Sequence, residues 1–134
     1  MPLIILLMFH KHLIIRAEIK EPAVDPTYIS ETWMPNLIDK IGMKTLMGPY
    51  ATYCDVPGNR GLTAVTIIET SHIAMHIWDE DDPAMMQLDV YTCGPLDPYD
   101  VVEYLAEFNP VLVEMKYLDR EHNLVEIPLP NEDS

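Results

Sequence analysis

The feature that most restricts the fold of this chain is the run from Gly61 to Trp78, followed after an acidic break by residues 86–93. β-Branched and other apolar residues dominate it. Val65, Thr66, Ile67, Ile68 and Ile73 favour extended backbone, where branched side chains pack well. Residues 62–70 and 72–78 read as one long β-rich stretch. Residues 86–93 alternate Met86, Leu88 and Val90 against Gln87, Asp89 and Tyr91. Such alternation gives one buried and one open sheet face. Pro57-Gly58-Asn59-Arg60-Gly61 reads as a turn, Asp79–Pro83 as a solvated acidic turn, and Gly94-Pro95 as a stop. A chain punctuated in this way forms an antiparallel sheet.

The flanking segments supply the sheet's cover. Residues 12–19 read as a strand, and Pro22 and Pro26 mark a loop. The spacing of Trp33, Leu37, Ile38 and Ile41 predicts a helix over 30–41, capped by Ser30 or Thr32 and ended by Gly42. Pro35 requires that helix to start late, near Thr32. Residues 44–54 read as a strand broken by Gly48-Pro49. Asp97-Pro98 opens a second helix with Val101, Val102, Leu105 and Phe108 on its apolar face. Residues 111–118 form a last strand.

The order β-α-β-β-β-α-β predicts an α+β fold. The expected architecture is a two-layer α/β sandwich, a mainly antiparallel sheet with two helices on one face. We expect one domain over 1–134, with 1–10 a leader or strand extension and 128–134 a frayed tail. The uncovered sheet face predicts a homo-oligomer.

Composition narrows the partners. The net charge of −14 repels phosphate backbones and argues against nucleic acid, while tolerating a cationic small molecule. Cys54 and Cys93 show no C-x-x-C or zinc spacing, which fits a reduced, cytoplasmic protein. The apolar start, Met1–Phe9, is too short to span a membrane and lacks the flanks of a signal peptide.

The chemistry-bearing stretch contains Thr63, then Glu69-Thr70-Ser71-His72, then His76, then Asp89-Val90-Tyr91-Thr92-Cys93-Gly94. It resembles the prokaryotic S-adenosylmethionine decarboxylase family, which has a Glu-Ser-His segment, a second His five residues after the Ser, and a downstream Asp-x-x-x-Cys-Gly strand. The resemblance implies that the Ser71 hydroxyl attacks the preceding backbone carbonyl, and that the resulting ester leaves a pyruvoyl group on the new N-terminus. It implies further that Thr63 assists cleavage, His76 promotes elimination, and Cys93 donates a proton after decarboxylation.

Thr70 stands where the family has Glu, and the glutamate has moved to Glu69. In a continuous strand, one place means the opposite face. With that displacement the chain also resembles phage-encoded S-adenosylmethionine lyases. That resemblance implies a pyruvoyl-free homotrimer in the host cytoplasm, with substrate sites near subunit boundaries. In such an enzyme the substrate's own carboxylate expels 5′-methylthioadenosine and leaves L-homoserine lactone. We take the lyase as the first expectation and the decarboxylase proenzyme as the alternative.

Glu69 is then the catalytic candidate. A carboxylate beside the sulfonium would stabilise the reactant more than the transition state, so a productive Glu69 grips the α-ammonium or a ribose hydroxyl. Tyr50, Tyr53 and Tyr91 are candidates to frame the adenine or sulfonium, with Ser71, His72 and His76 as further substrate contacts. His72-x-x-x-His76 on a strand is not a metal pair, so no metal is expected.

Overall fold

The computed structural model describes residues 10–69 and 71–129. Six strands form one sheet: β1 Lys11–Ile19, β2 Thr45–Cys54, β3 Gly61–Ile68, β4 Ser71–Trp78, β5 Ala84–Thr92 and β6 Pro110–Asp119, in the spatial order β2-β3-β4-β5-β1-β6. All neighbouring pairs are antiparallel. Two helical segments, α1 between β1 and β2 and α2 between β5 and β6, pack on one face. This is the expected two-layer sandwich.

The expected single β-rich stretch is two strands. A tight turn at Glu69 separates β3 from β4, which pair with Ile68 opposite Ser71 and Thr63 opposite His76. No Gly, Pro, Asn or Asp marks this turn, so it carries no breaker signal. The one-place shift therefore does not move Glu69 to the other sheet face. Glu69 lies beyond the last residue of β3, and its N–H donates to the Lys44 carbonyl at 2.9 Å.

α1 also starts earlier than expected. It begins as Pro26–Tyr28, passes through a wide π-turn at Ile29–Trp33 and continues as Met34–Lys40. Asp25 is the cap: its carboxylate accepts from the Thr27 N–H, with Pro26 in the first turn. In the π-turn the Met34 N–H donates to the carbonyl of Ile29, five residues back. The widened turn lies immediately before Pro35, whose ring would otherwise crowd the carbonyl of Glu31. α2, Pro98–Glu103, has the expected cap, with Asp97 accepting from the Tyr99 N–H, and leads into a single 3₁₀ turn at Ala106–Phe108.

Leu13, Ile15, Ala17 and Ile19 of β1, Ile73, Met75 and Ile77 of β4, and Met86, Leu88 and Val90 of β5 form one core with Trp33, Leu37, Val101, Leu105 and Phe108. The alternate residues make the open face. On it Ile14, Tyr50, Val65 and Ile67 are each at least 40% exposed. After β6 the chain turns back, and Ile127 N–H bonds the Tyr117 carbonyl. Leu129 packs against the core, while residues 1–9 and 130–134 of the expected leader and tail lie outside the described residues. Cys54 and Cys93 are free thiols. No helix among the described residues is long and apolar enough to cross a membrane.

Candidate functional site

The sheet separates the candidate residues into two groups at opposite ends of β4. At one end are Ser71, the first residue of β4, Glu69 in the turn before it, and Cys93 just past β5. Glu69 and Cys93 line one small pocket of about 190 Å³ with Met43, Lys44 and Gly94. Ser71 belongs to the core-facing row of β4, in phase with buried Ile73 and Met75. At the other end Thr63 and His76 face each other across β3 and β4, and their side chains hydrogen-bond at 3.1 Å (Oγ1 to Nδ1). They belong to the open face, as does Trp78, whose ring centroid is 5.8 Å from that of His76. Five residues of strand put His76 roughly 17 Å along the chain from Ser71. One chain therefore does not bring the helper pair to the serine.

The tyrosines also divide. Tyr50 and Tyr91 occupy the open face, on β2 and β5, three strand spacings or roughly 14 Å apart. Tyr53 is opposite buried Leu62 on the helix side, and its hydroxyl donates to Asp79 Oδ2 at 2.8 Å. That hydrogen bond is the main cause of the upward shift in the Tyr53 pKa. The three tyrosines thus make no single adenine frame within one chain.

His72 has partners that the sequence did not suggest. His12 Nε2 and His72 Nε2 both reach Asp89 Oδ2, at 2.8 and 3.1 Å. Tyr91 lies in the same row, between the two histidines, with ring centroids 5.7 Å from His12 and 5.6 Å from His72. The His10 ring and the Arg120 guanidinium lie against Tyr91 as well, the latter 3.9 Å from its centroid. The sequence separations of 77 and 17 residues hid this cluster. Only the registers of β1, β5 and β4 assemble it.

A larger cavity, about 660 Å³, lies beside the acidic turn, lined by Arg16, Glu18, Trp78, Glu80, Asp81 and Asp82 among others. Its carboxylates are largely engaged: Glu18 pairs with Arg16, Glu80 with Arg60, and Asp82 with Lys20. Glu80 also accepts from the Gly58 and Arg60 N–H groups, which hold its carboxyl below the usual range. The acidic turn expected to be merely solvated is a tie between loops. Volume therefore does not point to the chemistry; the residue set does.

The profile of the S-adenosylmethionine decarboxylase family matches residues 11–121. The chain is 35% identical over 77 residues to the S-adenosylmethionine decarboxylase proenzyme of Acetivibrio thermocellus, covering 54% of this chain and 60% of that protein. It is 37% identical over 68 residues to the arginine decarboxylase proenzyme of Aeropyrum pernix, covering 48% of this chain and 50% of that one. The chain thus spans about half the length of these curated relatives. The crystal structure of the adenosylmethionine decarboxylase from Aquifex aeolicus superposes over 92% of this chain and 98% of that one, with a TM-score of 0.60 and 21% identity, which shows the shared fold. An α+β sandwich with one open sheet face is thus the class of protein that the fold defines. The chain belongs to the S-adenosylmethionine decarboxylase family.

Proposed function

We propose that this chain is the proenzyme of a pyruvoyl-dependent S-adenosylmethionine decarboxylase that self-cleaves between Thr70 and Ser71. The observation that carries the reading is the retention of Thr63, Ser71, His76 and Cys93 in an ordered arrangement. Ser71 opens a strand immediately after a tight turn, Cys93 lines the pocket at that turn, and Thr63 and His76 are hydrogen-bonded to each other. These residues fit a pyruvoyl group derived from Ser71, which would supply an electron sink for an α-amino acid. The attacked group is the backbone carbonyl of residue 70, so a Thr side chain there leaves the nucleophile and the electrophile in place. Ser71 Oγ forms the new ester bond as the peptide bond to its nitrogen breaks. Thr63 and His76 handle the protons. The family profile and the Acetivibrio relative support S-adenosylmethionine as substrate.

The distance between Ser71 and His76 within one chain supports a homo-oligomer with its sites at subunit boundaries. A second copy that reaches the β3–β4 turn would bring its own Thr63–His76 pair to the Ser71 end of β4. The exposed apolar open face supports such an oligomer. The reaction needs no metal in this reading.

One observation favours a second reading. The glutamate occupies position 69 in the exposed turn, beside Cys93, instead of the position directly before the serine. In the lyase chemistry Ser71 stays intact, and Glu69 holds the substrate's ammonium while its carboxylate attacks. Holding reacting groups in one molecule is worth up to ~7–11 kcal/mol. The same experiment separates the two. The decarboxylase gives two fragments by intact mass, divided before Ser71, and releases labelled carbon dioxide from carboxyl-labelled S-adenosylmethionine. Ser71→Ala stops both. A single full-length species that converts S-adenosylmethionine to 5′-methylthioadenosine and homoserine lactone would replace the first reading by the second. Release of carbon dioxide from arginine alone would overturn the substrate assignment.

A further inference from the structure

We propose that the open sheet face carries a binding site for a divalent transition metal of the zinc type, with His12 Nε2, His72 Nε2 and Asp89 Oδ2 as its protein ligands. The site stands whichever chemistry Ser71 supports. The three donor atoms lie within 4.8 Å of one another. Two imidazole nitrogens and one carboxylate oxygen are a donor set that suits Zn²⁺ and its neighbours.

The geometry is close to what a metal requires. At metal–ligand distances of ~2.0–2.2 Å, tetrahedral donor atoms lie roughly 3.3–3.5 Å apart. Both Nε2 atoms now approach the same Asp89 oxygen, at 2.8 and 3.1 Å. Admitting an ion asks each His–Asp89 pair to open by a few tenths of an ångström and each neutral imidazole to carry its proton on Nδ1, leaving Nε2 free to ligate. Side-chain rotation supplies that movement without disturbing the backbone.

The scaffold is rigid. His12, Asp89 and His72 come from β1, β5 and β4, three adjacent strands paired in continuous register through these positions. Asp89 lies one open-face row below the two histidines, opposite Ile14 and Ala74, so its carboxylate reaches both diagonally. Tyr91 between the imidazoles limits their rotation, and the His12 and His72 rings meet edge to face at 89°. The donors are partly buried, with side-chain exposures of 18% for His12, 29% for Asp89 and 41% for His72. In the single chain the outer side of the site is open, so a fourth position remains for water or for a group from a ligand or a second copy. Three protein ligands with one open position is the arrangement of a reactive site, whereas structural zinc sites are closed.

Electrostatics favour a cation. The chain carries a net charge of −14. Arg120 on the Tyr91 ring is the neighbouring positive charge that the site must tolerate. The competing description is a hydrogen-bonded triad, in which each imidazole donates from Nε2 to Asp89. The two differ in a measurable way.

The test uses full-length protein without a polyhistidine tag, stripped with chelator and titrated with Zn²⁺ by calorimetry. Co²⁺ serves as a spectroscopic substitute. The expected result is one ion per chain, a visible Co²⁺ absorption band of low-coordinate type, and a zinc-dependent rise in Tm. His72→Ala and Asp89→Asn should each weaken binding about a hundredfold or more and abolish the Tm rise. His122→Ala, a surface histidine outside the cluster, should leave both unchanged. The variants' Tm without metal shows whether they are folded, so lost binding is not mistaken for lost structure. Failure of the wild type to bind, or equal binding by His72→Ala and Asp89→Asn, would overturn the site and leave the triad as hydrogen bonds alone. Processing at Ser71, read separately by intact mass, is independent of either result.

Discussion

At Gly61 a single missing atom makes the β3–β4 pairing possible. Its φ is +156°, and a Cβ built there would lie 1.6 Å from the Ile77 carbonyl oxygen. No side-chain rotation relieves a clash with backbone, so Gly61→Ala must push β3 away from β4 at the end that carries Thr63 and His76. We expect a loss of roughly 3 kcal/mol or more, at the severe end of single substitutions. Equilibrium urea unfolding measures it, and a midpoint within experimental scatter of the wild type would refute the close approach. Gly58, whose added Cβ meets nothing within 4 Å, is the internal control for a glycine in the same loop. Its φ of +89° still favours glycine, so Gly58→Ala should cost strain of about 1 kcal/mol without disrupting the sheet. The sequence marked both residues as one turn. It had no means of showing that Gly61 is the first residue of a strand pressed on a neighbour, because that depends on which strand lies beside it.

At the scale of elements, the acid response should follow from two carboxylates that accept backbone N–H bonds. Glu80 is held below the usual carboxylate range chiefly by the Gly58 N–H and then by that of Arg60. Asp119 is held down chiefly by the Glu121 N–H, with His122 assisting. A carboxyl whose folded pKa is depressed contributes stability that is fully present above its unfolded value. That contribution is lost as pH falls through the folded value. Stability should therefore decline on acidification below the ordinary carboxylate range. Glu80→Gln should lower the urea midpoint near neutral pH and flatten the acid limb of the profile. An unchanged profile would show that the ties from Glu80 to the 57–60 turn contribute nothing.

The elements themselves were unevenly readable. β5 was visible because its alternation faces a core on one side, and α2 because Asp97-Pro98 is a cap followed by a first-turn proline. Asp25-Pro26 carries the same signal but was masked by reading Pro22 and Pro26 together as a loop. The turn at Glu69 left little trace, since it holds none of Gly, Pro, Asn or Asp. The His12–Asp89–His72 cluster was invisible for another reason: three distant segments meet only through strand register.

For the whole molecule, the unbalanced sheet is the central fact. The helices cover one face, and the other presents Ile14, Tyr50, Val65 and Ile67 to solvent in a single chain. The two pockets that His76 lines measure about 260 and 240 Å³. Ligand sites for small molecules typically measure ~300–1,000 Å³. These two pockets enclose less than such sites provide, and one chain keeps Ser71 away from the Thr63–His76 pair. A second copy across the open face covers the exposed apolar residues, and where it reaches the β3–β4 turn it supplies its own pair to the Ser71 end of β4. Ile67→Glu places a charge in the middle of the apolar patch, in the same row as His72 and Tyr91. The row itself stays intact, since Ile67 is 41% exposed and makes little of the monomer's core. The expected outcome in sedimentation at micromolar concentration is an oligomer for the wild type and a folded monomer for Ile67→Glu, with processing and turnover both reduced. A wild-type chain that sediments as a monomer and is fully active would mean that one sheet face suffices, and that the separation of Ser71 from His76 is closed within the chain.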